Sequence, residues 1–168
     1  MIPGWHPLVV HFPLALCTTG AVALLGARWV ANEAVARSLA IVGTWNLCAG
    51  AAATLLAIGT GIAALMRLHV GAAAHEAIST HVKWAMLASM MLVLLAVWRG
   101  AGNAQDERPG NAMLILLAVA VAALLYAGYR GDLNVYRHGV GVTGNAPCGD
   151  VPPHGADAAG ASSPVGCR

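Results

Sequence analysis

Seven histidines stand in a chain of 168 residues that has only nine basic and seven acidic side chains. Four of them come in two pairs, His6 with His11 and His75 with His81; His69, His138 and His154 make up the rest. An imidazole binds a transition metal through one neutral ring nitrogen while a neighbour orients the other. No two histidines are three or four residues apart, so no single helix face presents two rings. Two imidazoles from two helices are what a b-type haem takes as axial ligands. Three close together would serve copper or zinc instead.

The elements that must position these rings are membrane helices. Apolar residues make up 58% of the chain and charged residues 10%, and mean hydropathy is +0.69. A soluble domain of this length needs far more charge than that. A net charge of +2 gives no footprint for nucleic acid. Spans of about 20 apolar residues cross a bilayer, and four fit the sequence: 8–27, 38–66, 79–98 and 110–129. The fold class expected is an all-α integral membrane protein, a four-transmembrane-helix bundle built as two parallel hairpins. The membrane domain covers 1–142. Residues 143–168 form a tail rich in Gly, Pro and Ala whose composition cannot bury a core. The start of the chain lacks the basic region of a signal peptide, so its first span reads as retained. Pro13, inside that span, removes a helical bond to Val9 and should kink or delay the helix.

An even number of spans puts all seven histidines on one membrane face. His11 and His81 fall at the starts of the first and third spans, which run parallel, so their rings share a depth. They are the expected metal ligands, with His6, His75 and His138 in reserve. Arg67, Lys83, Arg130 and Arg137 stand at the same interface and suit haem propionates. Gly20, Gly43, Gly50, Gly59 and Gly61 could supply an apolar slot for a macrocycle. A faint repeat supports two hairpins: each opens with two histidines, and each closes on an arginine followed by histidine, at Arg67 and His69 and at Arg137 and His138. Asp132, Tyr136 and His138 could flank a quinol headgroup. No P-loop, dinucleotide-binding glycine pattern, nucleophile elbow or c-type haem attachment motif occurs.

Two motifs carry a resemblance. The run His6, Pro7, Leu8, Val9, Val10, His11, Phe12, Pro13, Leu14, Ala15, Leu16 matches the opening of a family of bacterial four-span predicted membrane proteins. The segment 130–142, with Tyr136, His138, Gly139, Val140, Gly141 and Val142, resembles its closing motif, with Asp132 and Asn134 as departures. Some members are fused to Rieske iron–sulfur or cytochrome-like modules, which implies electron transfer. The expected function is therefore a subunit of a larger redox complex rather than an enzyme by itself. It binds haem b near the extracytoplasmic face, beside c-type cytochromes, iron–sulfur proteins or quinol. A cofactor-free structural subunit and a copper- or zinc-handling protein are the alternatives.

The location expected is the bacterial inner membrane, with periplasmic termini. Positive charge near the spans is almost balanced between the two sides. A disulfide between Cys148 and Cys167 would need an oxidising compartment, and this sets the orientation. A reporter active only in the periplasm should give signal when fused to the tail. Signal there from a reporter active only in the cytoplasm would invert the topology.

Overall fold

The computed structural model describes residues 5–66, 72–101, 107–138 and 140. Five helices follow one another: α1 (Trp5–Val9), α2 (His11–Trp29), α3 (Glu33–Leu65), α4 (Ala72–Ala101) and α5 (Asn111–His138). Four stretches are long and apolar enough to cross a bilayer, Trp5–Trp29, Glu33–Leu65, Ala74–Ala101 and Asn111–Arg137. The protein is an all-α bundle of four predicted transmembrane helices, with no strand among the described residues. Residues 143–168, including Cys148, Cys167 and His154, lie outside the described residues, as do Arg67 and His69.

Local sequence accounts for the ends of these helices. Pro13 cannot donate to Val9, and the first span is divided at Val10, which separates α1 from α2 while keeping helical dihedrals. Asn32 caps α3 by accepting from the backbone N–H groups of Ala34 (3.0 Å) and Val35 (3.2 Å), the usual use of an Asn N-cap. The third span starts earlier than expected, at Ala72 instead of Ser79. Three successive alanines, the best helix formers, extend it toward the N-terminus. His81 therefore lies well inside α4 rather than in its first turn. At the far end of α5, the Val140 N–H returns to the Asn134 carbonyl at 3.1 Å, a bond that closes a helix end.

The helices pack as a square. Helix α2 lies against α3 and α5, and α4 lies against α3 and α5, so α2 and α4 share a diagonal. Lipid offers helices no hydrophobic drive to associate, and close backbone approach replaces it. The α2–α3 seam shows how. A Cβ on Gly20 would come within 3.1 Å of the Gly43 carbonyl oxygen, and one on Gly50 within 3.0 Å of the Cys17 amide nitrogen. Three of the glycines expected to form a macrocycle slot are thus consumed by helix contact. Of the other two, Gly61 lies under the His6 ring and Gly59 has nothing within 4 Å.

The two hairpins are copies of one plan. Leu47, Gly50, Ala51 and Ala57 on α3 are buried, and so are Leu117, Ala120, Val121 and Ala127 on α5, at a constant offset of 70 residues. Cys17, Gly20 and Leu24 on α2 match Leu92, Leu95 and Arg99 on α4 at an offset of 75. Under this register His6 corresponds to His81, whereas the sequence pattern pairs His11 with His81.

Arg99 breaks the apolar rule at the end of the bundle opposite His6 and His81. It is only 8% exposed. Its Nε–H donates to the Thr44 hydroxyl at 3.1 Å, and a terminal N–H donates to the Glu107 carbonyl. It ties α3 to α4 and to the segment leading to α5. Arg108 adds a second tie, donating to the carbonyls of Arg28 (3.2 Å) and Val30 (2.9 Å) at the end of α2. Arg99→Leu leaves a buried hydroxyl and carbonyl without this donor and should cost about 1–3 kcal/mol. Denaturant unfolding in detergent micelles checks this, with Glu76→Gln at an exposed position as the control expected within about 0.5 kcal/mol of wild type.

Candidate functional site: a two-fold imidazole pair

Helix α1 carries His6 onto the end of α3. The Nδ1–H of His6 donates to the Ala57 carbonyl at 3.0 Å and lies 3.3 Å from the Thr60 hydroxyl oxygen. That hydroxyl donates to the same Ala57 carbonyl at 3.0 Å. The ring sits over Gly61, where a Cβ would approach its Cε1 at 3.1 Å. Helix α4 presents His81 to α5 in the same way. Its Nδ1–H donates to the Ala127 carbonyl at 2.8 Å, and its ring covers Gly131, again with 3.1 Å between Cε1 and a Cβ placed there. Alanine followed four positions later by glycine is the cradle in both halves: the first offers its carbonyl and the second has no side chain to push the ring away.

The two rings then meet. Their centroids are 6.4 Å apart and their planes are inclined at 78°. Each carbonyl can only accept, so each Nδ1 must carry the proton. Each Nε2 is left with a lone pair. A carbonyl that fixes the tautomer of an imidazole is the outer support that metal-binding histidines typically have.

The other expected residues fall elsewhere. His11 is exposed, and its Nδ1–H turns back to the Pro7 carbonyl at 2.6 Å. The ring brought to His81 is that of His6. His75, Lys83 and Arg137 are exposed. His138 ends α5, with its side chain outside the described residues. Arg130 is half-buried, one position before Gly131, and its Nε is buried without a hydrogen-bond partner. Among the described residues no three His, Cys, Asp or Glu side chains cluster as a metal site. Cys17 and Cys48 are free thiols. Cys48 lies 3.8 Å from the Ala96 carbonyl, and Cys17 packs at the Gly50 contact. Two polar side chains that the sequence does not mark for burial, Arg99 and Asn134, lie in the interior.

The model of the family described as "Predicted membrane protein (DUF2231)" matches residues 3–144. The chain belongs to that family. The match spans both histidine cradles and all four membrane helices. No curated protein and no solved structure matches the chain.

The cradle can be tested without any ligand. Nitrogen-15 spectra of imidazole-labelled protein should show His6 and His81 as the Nδ1-protonated tautomer. A side chain at Gly131 drives the ring off its carbonyl, so Gly131→Val should shift the His81 resonances and leave those of His11 in place. An Nε2-protonated His81 in the wild type would contradict the hydrogen bond to Ala127.

Proposed function

We propose that this DUF2231 protein is an electron-transfer subunit of the bacterial inner membrane, with His6 and His81 as the side chains that would hold a b-type haem. The observation that carries this reading is the spacing of the two rings. Metal–nitrogen bonds of about 2 Å on opposite sides of one ion, added to the ring radii, put two imidazole centroids about 6 Å apart. The centroids here are 6.4 Å apart with the Nδ1 atoms held by carbonyls, which supports two Nε2 atoms serving one metal. A bound haem supplies reversible one-electron chemistry at the iron.

The chain's own residues do the rest. Ala57 and Ala127 hold the tautomers and orient the rings. The apolar surroundings of the helices exclude water, which keeps reorganisation around a changing charge small. Lys83 and Arg137, exposed on the same two helices as the His81 cradle, are the counter-charges for propionates. The reading places the termini in the periplasm, with c-type cytochromes or iron–sulfur proteins as electron partners. Gly20, Gly43 and Gly50 are taken up by the α2–α3 contact, so the haem reading rests on the ring pair. That close packing favours a second reading, a bare copper or zinc ion between the same two rings.

The absorbance spectrum of the purified protein, made with ample haem, decides between them. The wild type should show a low-spin Soret band. His6→Ala and His81→Ala should each abolish it or convert it to high spin, while His11→Ala and His75→Ala keep it. A colourless wild type with stoichiometric copper or zinc supports the second reading. A wild type with neither leaves the pair as a structural cradle and overturns both.

A further inference from the structure

The two halves of the bundle differ in buried polar groups just beyond the histidine cradles. On α5, Ala127, Arg130, Gly131 and Asn134 share a face, since residues three, four and seven apart lie together on a helix. Asn134 is 6% exposed, and its Oδ1 is buried with no hydrogen-bond partner among the described residues. The Nε–H of Arg130, one turn away, is also buried and unpartnered. In the first half the same positions hold Thr60 and Ala64. Thr60 is occupied with the Ala57 carbonyl and His6, and Ala64 has no polar side chain. At these positions the second half therefore has one unmet acceptor and one unmet donor and the first has none; elsewhere among the described residues only the Thr18 hydroxyl of α2 is buried without a partner. Native proteins rarely bear buried polar groups without a partner.

We infer that Arg130 and Asn134 bind the hydroxyl of a bilayer-soluble quinol. A hydroxyl is both donor and acceptor. It can donate to Asn134 Oδ1 and accept from Arg130 Nε–H, whose side chains emerge about 5–6 Å apart. A carboxylate or quinone carbonyl would answer Arg130 and leave Asn134 unmet. The neighbouring surface suits an aromatic ligand arriving from lipid. Trp84 and Tyr126 pack edge to face with centroids 4.9 Å apart, and Tyr129, next to Arg130, lies 6.4 Å from Tyr126. All three are exposed on the outside of the α4–α5 hairpin. The site stands on these residues and needs no haem, so it survives or fails separately from the function proposed above.

Calorimetric titration of the full chain in phosphatidylcholine nanodiscs with duroquinol, under anaerobic conditions, tests this. The wild type should bind saturably. The dimethyl ether of duroquinol, which has no donor, should bind about tenfold more weakly or worse, as should duroquinol to Asn134→Leu and to Arg130→Gln. The unchanged thermal transition of either variant shows that its fold is intact. Absence of saturable duroquinol binding to the wild type overturns the proposal. So does equal affinity in both variants, which would mean that water fills the site. Binding that disappears when phosphatidylglycerol is added to the nanodiscs also overturns it, because a glycerol headgroup is then the resident hydroxyl. Quinol binding by a protein without a Soret band would retain this site and remove the haem.

Discussion

A helix carbonyl normally has one partner, the amide four residues on. Ala57 and Ala127 each accept a further bond from an imidazole on another helix, and Ala57 also accepts from the Thr60 hydroxyl. In a bilayer no water competes for that carbonyl or for the Nδ1 proton. The same bond places the ring, selects its tautomer and joins α1 to α3 or α4 to α5. The glycine one turn later is needed because the Cε1 edge of the ring comes within 3.1 Å of where a Cβ would stand. The square packing is needed because it brings two such rings from opposite halves to one point. At the other end, Arg99 does comparable work for the loops by filling a polar gap that lipid could not solvate.

The long helices follow from the same constraint. With 33 residues, α3 runs for about 50 Å, well beyond a hydrocarbon core of about 30 Å. Its excess accommodates a polar N-terminal turn capped by Asn32 at one side. At the other, it carries the Ala57–Gly61 cradle close to the membrane boundary. The rings thus lie between the helices near one end of the bundle.

Much of the architecture could be read from the order of residues. Uncharged runs of the right length announced four spans, and Pro13 announced the break at Val10. The start of α4 was missed because Ala72 to His81 mixes polar and small residues, although alanine favours helix there. The ring pair was half legible. His81 was singled out, but His11 was matched to it because both open a span. The better signal lies in two offsets: 70 residues relate Ala57 and Gly61 to Ala127 and Gly131, but 75 relate Cys17, Gly20 and Leu24 to Leu92, Leu95 and Arg99. The first leads from His81 back to His11; the second, which belongs to α4, leads to His6. Nothing in the sequence marks Asn134 or Arg99 as buried, since burial of a polar side chain depends on which neighbours the bundle brings.

Two identical hairpins could have met as separate chains about a true two-fold axis, and any change in one would then appear in both. Joining them in one polypeptide removes that obligation. The repeat keeps its histidines, carbonyls and glycines while Thr60 and Arg130 diverge at equivalent positions. Fusion of a duplicated hairpin thus allows a centre built by symmetry to acquire a front and a back, so that one copy can specialise while the other remains plain scaffolding.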